Sequence, residues 1–133
     1  MPFQLLDPYA TLEPKPTTVA AATAAANTAV TITIAAQTGY RHYLVQLIWS
    51  YSATPTGGRV TITGLKGDDY DWDITSAGPG PANFPPVAGD ISTAVVVTLA
   101  AGSGSVVGKL NVAYVTLPAV VVNADGRWIA GVA

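Results

Sequence analysis

Thiol chemistry is closed to this chain, which has no cysteine, and imidazole chemistry rests on one residue, His42. A single histidine cannot build a His-rich metal centre. A Ser-His-Asp arrangement is conceivable in composition, but no Gly-x-Ser-x-Gly elbow accompanies it. His42 lies in Gly39-Tyr40-Arg41-His42-Tyr43 at the mouth of an apolar run. Its plain reading is a strand-end residue bonded to backbone or water rather than a catalytic base. The run Asp68-Asp69-Tyr70-Asp71-Trp72-Asp73 is the strongest ionic feature. A calcium loop would need several oxygens converging on one point and a glycine at the sixth position. Ile74 stands there instead, and no closing Glu follows. Alternation puts Asp71 and Asp73 on the wet face of a strand. For the same reason they cannot flank a cleft as glycosidase carboxylates do. Gly57-Gly58 and Gly102-Ser103-Gly104 lack the Gly-Lys-Ser/Thr of a phosphate loop and read as turns. No catalytic set, no metal set and no cofactor emerge from these residues.

The elements carrying them are strands. Val30, Ile32 and Ile34 alternate with Thr31 and Thr33, the period of a half-buried strand. Tyr43 to Tyr51 is nearly continuous in apolar residues and is expected to be a central strand covered on both faces. Residues 54–58 are turn chemistry. Residues 59–63 and 71–75 alternate again, with Val60, Ile62, Trp72 and Ile74 inward. Trp49 and Trp72 are expected in the core, although an exposed aromatic platform for sugars is a competing use. The proline- and glycine-rich stretch 78–86 reads as a surface loop without ladder bonds. Thr93 to Leu99 and Val106 to Thr116 are two further strands. The alanine-rich stretch 17–27 is read as a weak strand. The sum is an all-β chain, a two-sheet antiparallel β-sandwich of jelly-roll kind at residues 17–116.

Two segments flank it. Residues 1–16 form an extended arm, since Pro2, Pro8, Pro14 and Pro16 deny it a helix or central strand. Residues 117–133 read as a small C-terminal hairpin, with Val120–Val122 and Arg127–Ile129 about a turn at 123–126. The arm carries Phe3, Leu5, Leu6, Tyr9 and Leu12, and the hairpin carries Val121, Trp128 and Ile129. These eight residues are the candidate anchors to a partner or a second subunit, a role in which Trp is enriched. The opening residues have no basic region before an apolar stretch, so they are not read as a secretory signal.

The surface points the same way. The chain has 133 residues, a net charge of -2 and only 11% charged residues, against about 25% in an ordinary soluble domain. Six scattered basic residues make no nucleic-acid stripe, and no apolar run is long enough to span a bilayer. With so few charges to blunt sheet edges, those edges are expected to be covered by the arms or by other subunits.

In order along the chain come Tyr40-Arg41-His42-Tyr43-Leu44, Ser50-Tyr51-Ser52, Pro55-Thr56-Gly57-Gly58, Asp71 to Ile74, Gly78-Pro79-Gly80-Pro81 with Phe84-Pro85-Pro86, and Val106 to Tyr114. This series resembles the small β-rich proteins that decorate or cement the capsids of tailed bacteriophages, over roughly residues 28 to 116. The resemblance implies a non-enzymatic virion component on the capsid exterior. Its partners would be the major capsid protein and itself, as a homodimer or homotrimer, with no nucleic acid and no membrane. A carbohydrate- or receptor-binding sandwich of a spike or fibre, and a jelly-roll capsid subunit, are the alternatives.

Overall fold

Alternation of β-branched with polar residues builds most of the structure, a computed structural model that describes residues 17–81, 84–122 and 128–130. Every regular element among the described residues is a strand: β1 (Thr18–Thr23), β2 (Val30–Ile34), β3 (Tyr40–Tyr51), β4 (Gly58–Thr63), β5 (Tyr70–Ile74), β6 (Val87–Ala88), β7 (Val95–Leu99), β8 (Gly108–Pro118), β9 (Val120–Val122) and β10 (Trp128–Ala130). Two antiparallel sheets of four strands form a β-sandwich, ordered β1-β8-β3-β6 and β2-β7-β4-β5. The pairs β1·β8, β2·β7, β3·β6 and β4·β5 are nested, as in one long hairpin rolled upon itself. The weak strand expected within 17–27 is real and sits at a sheet edge.

Each sheet turns one face inward. Val30, Ile32 and Ile34, Val60 and Ile62, and Val95, Val97 and Leu99 come from one sheet. Leu44, Leu47, Trp49, Tyr51, Leu110 and Val112 come from the other. The intervening Thr31, Thr33, Lys109 and Asn111 face water. Burying a Val, Leu or Ile is worth about 1.5–3 kcal/mol, so this set is the main source of cohesion.

Two expectations need correction. β3 is not covered on both faces, because Gln46 and Ile48 are exposed, Ile48 at 39%. Its register against β8 slips between Leu44 and Gln46, leaving Val45 as the extra residue of a β-bulge. His42 and Leu44 point inward before the bulge, and Leu47, Trp49 and Tyr51 after it. The inward residues thus occupy even positions and then odd ones, which in sequence looks like a run buried on both sides. Secondly, β8 does not stop at Thr116. It continues to Pro118 opposite Tyr40, and the Ala119 amide donates to the Gly39 carbonyl. The sandwich therefore includes the first residues assigned to the tail. Beyond them β9 and β10 pair as an antiparallel hairpin, with Ile129 opposite Val121. The expected second strand is displaced by one residue, and Arg127 lies outside the described residues.

The 78–86 loop also departs from expectation by making ladder bonds. Trp49 and Gly80 exchange both backbone hydrogen bonds, at 2.8 and 3.0 Å, and the Tyr51 amide donates to Ala77. The loop closes the edge of β3 where β6, only two residues long, leaves it open. Glycine is required because the Trp49 ring fills the space: a Cβ on Gly80 would lie 2.6 Å from the indole. Gly80 has no positive φ, so Gly80→Ala tests this packing alone. It should cost about 1–3 kcal/mol, measured by denaturant unfolding, with a changed near-ultraviolet tryptophan signal. Wild-type stability would show that the loop does not rest on Trp49.

Candidate functional site

Alternation delivers His42 to the inner face of β3, where it is 3% exposed. Its Nε2 lies 2.7 Å from the Ala35 carbonyl oxygen, which can only accept, so Nε2 carries a proton. Nδ1 lies 2.7 Å from Thr116 Oγ1 on β8. In the neutral ring the threonine hydroxyl donates to it. Tyr114 meets the ring edge-on, with centroids 6.1 Å apart. A hydroxyl beside an oriented imidazole has the outline of an activated nucleophile. Here the ring is walled in between the sheets, and its two partners tie the chain leaving β2 to β8. The geometry is that of a structural tie rod, matching the backbone-bonded reading of this residue, although the ring is buried more deeply than a strand-mouth position suggests.

The acidic run splits by strand parity. Asp71 and Asp73 are on the wet face of β5, while Trp72 and Ile74 turn inward. Asp71 accepts two hydrogen bonds from Arg59 of β4, from Nε at 2.6 Å and from Nη2. The guanidinium holds the Asp71 carboxyl below the usual carboxylate range, chiefly by hydrogen bonding, and Asp71 raises Arg59 in return. Both partners are about half exposed, so solvent screens the pair. An open depression beside them is lined by Pro55, Gly57, Gly58, Arg59, Asp73, Ile74 and Thr75. Its one guanidinium is already engaged by Asp71. Among the described residues no three His, Asp or Glu side chains gather to hold a metal ion.

Two aromatic features differ in kind. Trp49 is buried under the loop, and its Nε1 has no hydrogen-bond partner among the described residues. Tyr51 beside it donates its hydroxyl to the Ala100 carbonyl at 2.7 Å, and burial pushes its ionisation upward. Tyr70, 37% exposed, meets both Trp72 and Phe84 edge-on, with centroids 6.0 and 6.3 Å apart. This cluster joins β5 to the far side of the proline-rich loop. Trp72 is half-buried rather than in the core proper.

The outer face of the β1-β8-β3 sheet carries two exposed aliphatic side chains, Val19 and Ile48. Val19 is 67% exposed, and a shallow groove runs between Val19, Gln46, Ile48, Asn111 and Ala113. No reading of the sequence singled out Val19 or Ile48. The alanine-rich composition of β1 was the signal for the first, and the bulge hid the second.

Of the candidate anchors, Phe3, Leu5, Leu6, Tyr9 and Leu12 lie outside the described residues. Val121, Trp128 and Ile129 are placed by backbone in β9 and β10, with Val121 opposite Ile129 and Trp128 opposite Val122. No protein-family model, no curated protein and no solved structure matches this chain.

Proposed function

We propose that this chain is a non-enzymatic virion protein that binds the outside of a tailed-phage head and stabilises it. The observation that carries this reading is the nested order of the eight strands, which we read as a jelly roll. Double-sheet jelly rolls serve in viral capsid and lectin domains; that link is an analogy of fold. The chain's own residues add to it. The surface is poor in charge, and the sequence before β1 is apolar but rich in proline. Such a segment can lie in the grooves of a neighbour, adding backbone bonds and side-chain pockets. Its partner would be the major capsid protein, met at junctions between capsid subunits, with no cofactor, nucleic acid or membrane involved. A protein that binds only the assembled shell stabilises that shell by mass action.

Co-sedimentation with empty heads from its own source tests this. The full chain should saturate the heads at a fixed ratio. Deleting residues 1–16 should leave a folded sandwich whose binding falls at least tenfold, about 1.4 kcal/mol or more. Undiminished binding by the truncated chain removes the arm from the account, and failure of the full chain to bind removes the capsid.

A second reading is favoured by the Tyr70, Trp72 and Phe84 cluster beside the proline-rich loop. An exposed aromatic there suits the face of a sugar ring, as in a carbohydrate-binding sandwich of a spike or fibre. Binding on a glycan array that is lost in Tyr70→Ala would move the assignment to it.

A further inference from the structure

The edges of the two sheets are not equally guarded. The far edge of β3 is closed by β6 and the 77–81 loop. At β5 the backbone parity follows from the Ala100 amide donating to Arg59. Arg59, Thr61 and Thr63 of β4 bond to β7, so Gly58, Val60 and Ile62 bond to β5. Asp71 and Asp73 then direct their N–H and C=O groups to the free edge, and both carry a carboxylate. Asp71 is paired with Arg59, so Asp73 supplies the charge that a second copy approaching there would set against its own.

Among the described residues the opposite side has no such guard. The Ala24 amide donates to Gly108 in the β1·β8 register. Even-numbered residues of β1 are therefore spent on β8, and Val19, Ala21 and Thr23 present both backbone groups outward. Their side chains are exposed, and β1 contains no charge, no proline and no bulge. By the same parity Thr31 and Thr33 present the free edge of β2, which packs across from β1. An uncharged, regular edge of this kind is a template for another strand.

We propose that β1 is a self-association edge, at which a second copy of this chain pairs antiparallel about a two-fold axis at Ala21. Ala21 then faces its own copy, and Val19 faces the partner's Thr23. Each of these residues exchanges both backbone bonds, and two β-branched side chains meet across the junction. Because the paired residues share parity, the inner faces of both copies lie on one side, and the sandwich continues unbroken across the axis. No charge on β1 opposes the approach. The edge is self-complementary under this two-fold, since Val19, Ala21 and Thr23 of each copy offer both backbone groups to the other. One strand edge is small for a specific interface, under about 1,200 Å² in total, so the dimer is weak and dilution dissociates it. A two-fold contact between two edges closes at two copies and excludes a trimer through this strand.

The purified full chain alone tests this, independently of any capsid. Sedimentation velocity from about 1 µM to about 1 mM should show monomer passing to dimer. Amide exchange at Val19, Ala21 and Thr23 should slow as concentration rises. Ala21→Pro removes an N–H that points away from β8. It should keep the wild-type circular dichroism and remain monomeric throughout. Val19→Lys, which places a charge on the edge, should weaken the dimer at least tenfold. A wild-type monomer at the highest concentration, a trimer, or dimerisation undiminished in both variants would overturn the proposal. So would protection of those three amides that does not depend on concentration.

Discussion

Deleting Ile48 is expected to abolish the folded state, whereas deleting Val45, three residues away, is expected to leave it standing. Either deletion removes one residue from β3 and so removes the bulge, leaving a regular strand against β8. The difference lies in which side chains then turn inward. Without Val45, Gln46 still faces Ala113 and Leu47 still faces Val112, so the register after the bulge is unchanged. The cost is one half-buried valine and the local twist of the bulge, on the order of 1–2 kcal/mol. Without Ile48, anchoring both ends of β3 brings Gln46 opposite Val112 and sends Leu47 outward. Leu47 is fully buried. Losing such a side chain costs about 2–5 kcal/mol, and an amide buried without partners costs a further 1–3 kcal/mol or so. That sum matches much of the roughly 5–15 kcal/mol by which a domain is stable. Urea unfolding followed by tryptophan fluorescence checks the pair. Equal damage from the two deletions would refute the parity argument.

His42→Ala should lower stability by about 3–5 kcal/mol. The substitution leaves a cavity between the sheets. It also strands the Ala35 carbonyl and the Thr116 hydroxyl, each of which has the imidazole as partner at 2.7 Å. Thr116→Val should cost less, about 1–3 kcal/mol, because only Nδ1 loses its partner. The double variant should fall short of the sum of the two, since they share one hydrogen bond. Thermal melts of the three variants measure this. Additive losses would show that the His42–Thr116 contact contributes nothing.

The strands were legible because one face of each is buried, and burial leaves a period of two. Val30-Thr31-Ile32-Thr33-Ile34 announces β2, and the alternation in 58–63 and 108–114 announces β4 and the first half of β8. Glycine and proline marked the turns, since φ at Gly57 is 76° and few other residues accept that. The same period places Asp71 and Asp73 on the wet face of a strand. The chemistry of His42 was legible only in part. Its single occurrence limited what it could do, but nothing near it in sequence names Thr116, 74 positions away. The candidate anchors stand out by apolarity outside the strand pattern, and apolarity carries no address for a partner.

The residues by themselves determined that this chain is all-β, that its inward faces are aliphatic, and that thiol and multi-histidine chemistry are closed to it. These follow from local periodicity and from side-chain inventory. Tertiary structure decided the rest: the nested pairing of β1 with β8 and β2 with β7, the parity change at Val45, the bridge of the Gly80 loop to Trp49, and the contrast between the charged edge at β5 and the bare edge at β1. Strand partners and edge positions are set by hydrogen bonds and packing between residues distant in the chain, and no local pattern encodes them.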